Sequence, residues 1–230
     1  MSKDINDILF VIQARTNSER VPNKMMRPFA DTCLFEIALQ KVLDSDIPNE
    51  NFIASVYEQS LADATEKYGL NTYRRSLSSN LEERDIRVMY EWYDKFPQYK
   101  YAIKINPCNL FLKTETINSF IQQYLNSESE GLFAVTSKQQ YYWDEDGTLQ
   151  TAWPEGYNIM NTKRVGKTLE AAHCLYAGKM DLIGKGMWMG KPPYTKNNPE
   201  LFIINDFEAC DIDHEWEFDL YTSYWEKLNG

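Results

Sequence analysis

The chain of 230 residues has four cysteines, Cys33, Cys108, Cys174 and Cys210, far apart and without a C-x-x-C pair. That spacing argues against a zinc site, and a chain this large needs no disulfide staples, so reduced thiols in a cytoplasmic protein are expected. Histidine is scarcer still: His173 and His214 are the only two. A Ser-His-Asp hydrolase would have almost no choice of base. No run approaches 18 apolar residues, so no membrane span is expected. The polar N-terminus leads directly into an apolar run and does not read as a signal peptide. Positive charge is in deficit, with 24 Lys+Arg against 34 Asp+Glu and a net charge of -10. A duplex nucleic-acid binder needs a broad basic face, which this balance argues against. There is no internal repeat, no low-complexity segment and no G-x-x-x-x-G-K-[ST] phosphate loop.

What is present begins with 43% hydrophobic and 14% aromatic residues, enough for one substantial domain over 1–230. The organising stretch is 8–43. Ile8 to Ile12 is a continuous apolar run, too short for a helix and suited to a strand buried on both faces. A polar loop follows with Arg15, Arg20, Lys24 and Arg27 and, between Arg15 and Arg27, only one acid, Glu19. An amphipathic helix begins after Asp31 and Thr32. Strand, basic loop and helix in that order put the loop where open α/β sheets bind ligands. A cationic loop on an acidic protein points to an anionic ligand, phosphate first. The competing reading is a solvated basic surface loop.

Further along, Phe52 to Val56, Asn71 to Arg74, Tyr101 to Ile105, Leu132 to Thr136, Ala172 to Ala177 and Leu201 to Asn205 read as strands. Leu201 to Asn205 is expected to be buried. Ser60 reads as the cap of a helix ending at Gly69, Glu82 to Phe96 as one helix, and Thr114 as the cap of another. Glu215 to Leu228 reads as the last helix. The alternation implies a largely parallel α/β sheet. It breaks over 137–168, a polar and aromatic excursion with Asp146-Gly147 as a hairpin turn. A loop this long is usually functional or packs on another subunit, a floppy flap being the alternative.

The second constellation is Asp211-Ile212-Asp213, just before the last helix. In an extended chain the two carboxylates fall on one side. Such a pair can hold Mg²⁺, which takes oxygen ligands and substrate phosphates. Acids before a helix also favour its N-terminal dipole, which is the plainer alternative.

Ala14-Arg15-Thr16-Asn17-Ser18-Glu19-Arg20-Val21-Pro22-Asn23-Lys24 resembles the nucleotide-binding signature A-R-x-x-S-x-x-x-P-x-K of the CMP-sugar synthetases. These are cytidylyltransferases acting on sialic acids, related nonulosonic acids and KDO. Cys210 to Leu220 resembles the D-I-D-T-E-x-D-F ending of the same family. The resemblance implies a Rossmann-like three-layer sandwich with a mostly parallel mixed sheet. It implies transfer of CMP from CTP to a sugar acid with Mg²⁺ as cofactor, and a homodimer built partly by 137–168. It assigns Arg15, Lys24 and Asp211 to catalysis and Asp211 and Asp213 to the metal. Ala14, Arg15, Thr16, Asn17, Ser18 and Lys24 fall to the nucleotide, with backbone N–H groups around Thr16 to Ser18 as further donors. Arg74 or Arg75, with Ser78 and Ser79, matches its cytosine side; Arg74 and Ser78 are the expected site residues. Asn106 and His173 fall on the acceptor side, with Lys163 and Arg164 of the excursion. There the match departs from the family. Asn106 replaces a glutamine, Leu112 an arginine, and Glu170 the arginine that would meet a sugar carboxylate. A different acceptor, such as a sugar phosphate, phosphonate or hydroxy acid, and a non-catalytic nucleotide-binding homologue are the alternatives. Lys138, Lys163, Arg164 and Lys167 are the cations that a dimer could carry to the partner's cleft.

Overall fold

The computed structural model describes residues 3–81 and 84–229. In chain order, β1 (Ile8–Gln13) leads through β2 (Pro28–Phe29) and β3 (Thr32–Cys33) into α1 (Leu34–Leu43). Then come β4 (Phe52–Val56), α2 (Gln59–Lys67), β5 (Thr72–Arg74), α3 (Leu77–Asn80), α4 (Ile86–Met89), β6 (Tyr101–Ile105), α5 (Thr114–Asn126) and β7 (Leu132–Lys138). The chain closes with β8 (Thr168–Lys179), α6 (Met180–Gly184), β9 (Glu200–Ile204) and α7 (Glu215–Asn229).

Seven strands form one sheet in the order β5-β4-β1-β6-β8-β7-β9. β8 runs antiparallel to both neighbours, and every other pairing is parallel. The expected mostly parallel mixed sheet is therefore present, with β1 in its interior. Alternation along β1 explains the layers. Ile8, Phe10 and Ile12 enter the core shared with α1, α2, α5 and α7, while Leu9 and Val11 face the opposite side with Tyr90, Trp92, Trp188 and Ile183. A strand buried on both faces has no polar side to alternate with, which is why it reads as one apolar run.

Five expectations need correction. Glu82 to Phe96 is not one helix: α4 ends at Met89 and a 3-10 turn, Glu91–Asp94, follows, while Glu82 and Glu83 lie outside the described residues. Tyr90 and Trp92 both enter the second core, with rings stacked 5.4 Å apart. Residues two apart face apart on an α-helix, so burying both breaks it. Leu201 to Asn205 is not a buried strand: β9 is the sheet edge, with Leu201 41% and Ile203 59% exposed. Ser60 lies inside α2, whose N-cap is Glu58, and Thr114 is the first residue of α5 after Lys113. Finally, β8 is twice as long as the apolar segment suggests, and it bulges away from β7 between the pairs Phe133↔Tyr176 and Val135↔Ala171. His173 sits in that bulge at φ 51.

The excursion makes contacts within itself. A bridge between Trp143 and Leu149 closes the turn containing Gly147 at φ 86, and Tyr141 packs 5.6 Å from the Trp153 ring.

Gly131, at the root of β7, shows how tightly the second layer is set. A Cβ there would lie 2.1 Å from the Met189 carbonyl oxygen, a backbone atom that cannot rotate away. Gly131→Ala is expected to destabilise the protein by about 3 kcal/mol. A denaturant midpoint lowered at unchanged slope would register it.

Candidate active site

β1 delivers the basic loop to the carboxyl end of the sheet, and buried contacts fix the loop's root. The Ala14 N–H donates to the Ser55 carbonyl at 3.3 Å. Its carbonyl accepts from the buried guanidinium of Arg75 at 2.8 Å, which also donates to Asn80 Oδ1 at 2.7 Å. Thr16 donates through both its N–H and its hydroxyl to Glu58 Oε1, at 3.2 and 3.1 Å. Val21 and Met25 are buried and anchor the far side. Asn23, at φ 56, turns the chain so that the Lys24 side chain looks back into the cleft.

The D-x-D segment meets the loop there. Ile212 is fully buried, so the flanking Asp211 and Asp213 share the opposite, half-exposed side. The Lys24 ammonium donates to the Ile212 carbonyl at 2.5 Å and stands 3.7 Å from one oxygen of each aspartate. Arg20 reaches Asp213 at 2.6 Å, and Arg27 reaches Glu215 at 2.5 Å while lying 4.2 Å over the Phe218 ring. The N–H groups of Asp213 and His214 at the start of α7 are accepted by Glu217, at 2.7 and 2.8 Å. Glu217, in the first turn of α7, thus reaches back to the two residues that precede the helix.

The result is an open cleft of about 430 Å³ at the carboxyl ends of β1 and β6. Arg15, Ser18, Arg20, Lys24, Asn106, Cys108, Asp211 and Asp213 line it, together with Gln13, Ala14 and Lys104. Burial disfavours the Lys24 ammonium, yet its pKa is raised, with Cys108, Asp211 and Asp213 acting against burial. Burial pushes the Cys108 thiol up to about 12, so it is neutral near pH 7 and the aspartates supply the field on Lys24.

Several expected residues lie elsewhere. Thr16 and Asn17 are not among the cleft-lining residues, and the N–H groups of Thr16 and Ser18 are already used by Glu58 and the Thr16 carbonyl. They are therefore not spare donors. Arg74 is exposed and donates to Gln59 at 3.0 Å, and Ser78 is exposed on α3. Arg75 and Ser79 are the buried pair instead, because Arg75 continues β5 onto Val56 of β4 with its side chain inward. Asn106 lines the cleft, but its amide donates to the His173 carbonyl at 2.9 Å and accepts from the Cys108 N–H at 3.1 Å. His173 stands behind it, its Nδ1 3.1 Å from the Tyr176 hydroxyl. Lys163, Arg164 and Lys167 are exposed on the excursion, and Lys138 is paired with Glu170 and Asp206 at 3.4 and 3.0 Å. None of these four lines the cleft of its own chain.

Sequence reasoning missed Lys104, Glu58, Arg75 as the loop's anchor, and Asn109. Asn109 is buried and donates to the carbonyls of Ala209 and Cys210 at 3.1 and 3.4 Å, tying the D-x-D approach to the β6–α5 connection. The half-buried Lys41 of α1 holds that connection from below through the carbonyls of Asn109 and Leu110, at 3.0 and 2.6 Å. Burial lowers Lys41 to about 7, against the opposing pull of Glu208. Above that pH the folded chain has released a proton that the unfolded chain keeps up to its ordinary 10.5, so stability rises as pH climbs from about 7. Thermal melts from pH 7 to 9 are expected to gain more for the parent than for Lys41→Met, whose profile lacks this contribution.

Two carboxylates are what a magnesium site shared with a nucleotide needs, since Mg²⁺ is usually held by one or two carboxylates plus substrate phosphates. No group of three or more His, Cys, Asp or Glu able to hold a metal occurs among the described residues. The donor set therefore fits a metal arriving with its substrate and does not make a complete protein cage. No helix among the described residues is long and apolar enough to cross a membrane.

Fold and cleft together are those of an α/β protein that receives its ligand at the carboxyl ends of parallel strands. The chain belongs to the cytidylyltransferase family, whose sequence profile matches residues 9–172. Asp211 and Asp213 lie beyond that match. The chain is 26% identical over 140 residues to the spore coat polysaccharide biosynthesis protein SpsF of Bacillus subtilis, covering 58% of this chain and 56% of that one. It is 23% identical over 154 residues to an uncharacterised protein of Methanocaldococcus jannaschii, covering 64% and 60%. The match thus spans well under two thirds of either relative. Among solved structures, CMP:2-keto-3-deoxy-manno-octonic acid synthetase complexed with CTP superposes with TM-score 0.69 at 11% identity, over 96% of this chain and 99% of that one. The 4-diphosphocytidyl-2C-methyl-D-erythritol synthase of Anaerococcus prevotii gives 0.63 at 12%, over 97% and 100%. At such identities the likeness is one of fold.

Proposed function

We propose that this chain transfers CMP from CTP to the hydroxyl of a sugar acid and releases pyrophosphate. The observation that carries the reading is the meeting of Lys24 with Asp211 and Asp213 in one cleft that Arg15 also lines. The acceptor oxygen bonds to the α-phosphorus, the bond from that phosphorus to the bridging oxygen breaks, and the hydroxyl proton passes to water. Such a reaction asks the protein for alignment and charge neutralisation more than for covalent chemistry. Arg15 and Lys24 hold the triphosphate and oppose the charge that grows on pyrophosphate. Asp211 and Asp213 would hold Mg²⁺, which supplies Lewis-acid polarisation of the α-phosphoryl group when bound. Arg75 supports the base side indirectly, by fixing Ala14.

A homodimer through the 137–168 segment belongs to this reading. Trp143, Trp153, Ile159 and Met160 are 44–61% exposed on it, a concentration of apolar surface suited to a partner. A second reading keeps the chemistry and changes the acceptor to a sugar phosphate, phosphonate or hydroxy acid. Glu170 favours it: a carboxylate stands where the related synthetases have an arginine, and it engages Lys138 as well.

Pyrophosphate release from CTP and Mg²⁺ is the test, across a panel of sugar acids, sugar phosphates and neutral sugars. Release with one acceptor class upholds transfer and names the class. CTP binding without release for any acceptor would leave a nucleotide-binding homologue.

A further inference from the structure

The cleft contains a cation that belongs to neither motif. Lys104 lies on β6, opposite Val11 of β1, and its side chain lines the cleft beside Asn106 and Cys108. Lys24 and Arg20 face the aspartates. Lys104 has no carboxylate partner among the described residues; its ammonium lies 4.9 Å from the Tyr176 ring centroid and 5.8 Å from that of Tyr90. An aromatic seat holds a cation in place without neutralising it, leaving the charge available to an anion. The seat is itself braced. The Tyr176 hydroxyl meets His173 Nδ1 at 3.1 Å, and the His173 carbonyl takes the Asn106 amide at 2.9 Å. Lys104 of β6 and Asn106 just after it are thus joined to His173 and Tyr176 of the adjacent strand β8.

We propose that Lys104 recognises the anionic group of the acceptor, a carboxylate or a phosphate monoester, at the β6 side of the cleft. This rests on the nucleotidyl-transfer reading above. The excursion cations are off the cleft of their own chain, and an anion entering a protein cleft needs a charged partner. Lys104 provides one within the protomer. The triphosphate then keeps Arg15 and Lys24, and the acceptor lies between the two cationic ends with its hydroxyl toward the α-phosphorus. The second N–H of the Asn106 amide remains for a sugar oxygen.

The test uses three proteins, the parent, Lys104→Met and Lys104→Arg. Pyrophosphate release is measured with 2-keto sugar acids, their methyl esters and sugar phosphates that keep a free anomeric hydroxyl, and calorimetry measures binding of CTP and of each acceptor separately. An anionic acceptor is expected to work where its neutral counterpart does not, the acid or the phosphate identifying the anion. Lys104→Met is expected to raise that acceptor's KM roughly ten- to a hundredfold, with the CTP Kd within about twofold and Lys104→Arg close to the parent. An unchanged acceptor KM in Lys104→Met, an ester as good as the acid, or an equal loss of CTP affinity would overturn the proposal, the last by making Lys104 a triphosphate contact. Should the parent bind CTP and release no pyrophosphate with any acceptor, the transfer reading fails and calorimetry still decides Lys104. An anion bound by the parent and lost in Lys104→Met upholds the site; no anion bound by the parent removes it.

Discussion

Asp211→Asn is expected to lower turnover by about a thousandfold or more while leaving stability within about 1 kcal/mol of the parent. The asparagine keeps the volume and removes the charge that pairs with Lys24 and, in the proposed reaction, with the metal. The folded state has little to lose: the Asp211 side chain is 31% exposed and its contact with Lys24 is 3.7 Å long. Lys24 keeps its hydrogen bond to the Ile212 carbonyl and its contact with Asp213 in the variant, so the loss of one long contact to a partly exposed carboxylate costs at most about 1 kcal/mol. Turnover should suffer far more, because each 1.36 kcal/mol of lost transition-state stabilisation is about tenfold in rate. Pyrophosphate release and a urea titration on the same preparation separate the two effects. A variant that unfolds while its folded fraction keeps full activity would make Asp211 a structural residue and remove the metal assignment.

Arg75→Met is expected to act in the opposite sense, costing about 3 kcal/mol of stability before any question of turnover arises. The guanidinium is 3% exposed and donates to the Ala14 carbonyl, the Ser79 carbonyl and Asn80 Oδ1 at 2.8, 3.2 and 2.7 Å. Methionine fills much of the space and supplies no donor, so three acceptors stay buried without their charged partner. Those acceptors belong to the root of the basic loop and to α3, so CTP affinity should fall along with the urea midpoint. A midpoint unchanged from the parent would show that water or a rearranged Asn80 replaces the guanidinium.

The contrast between Arg74 and Arg75 shows where reading the chain alone stops. Two consecutive arginines at a strand end must point to opposite sides. Which one is buried depends on the register of β5 on β4, where Val56 pairs with Arg74, and no local pattern encodes that. Lys104 is hidden for a similar reason. A lysine among apolar strand residues looks like the solvent-facing member of an alternation. Tyr90 and Tyr176, which seat it, come from distant parts of the chain. Leu201 and Ile203 look like core residues because an apolar run carries no information about which strand ends the sheet. The legible parts were those fixed by neighbours in sequence. The run Ile8 to Ile12, the stripe Ile117, Phe120, Ile121 and Tyr124 of α5, and the spacing that puts Asp211 and Asp213 on one side of Ile212 each encode their own geometry. The basic loop belonged to this group too. Its charges are concentrated within a few residues after the first strand, and strand-loop-helix order alone sends them to the carboxyl end of the sheet.

The most direct test of the account is a crystal structure of the complex with CTP and Mn²⁺ in place of Mg²⁺, read by anomalous scattering. The triphosphate is expected against Arg15 and Lys24, with a manganese peak bonded to Asp211, Asp213 or both. A nucleotide seated away from the loop, or a metal peak remote from both aspartates, would contradict it.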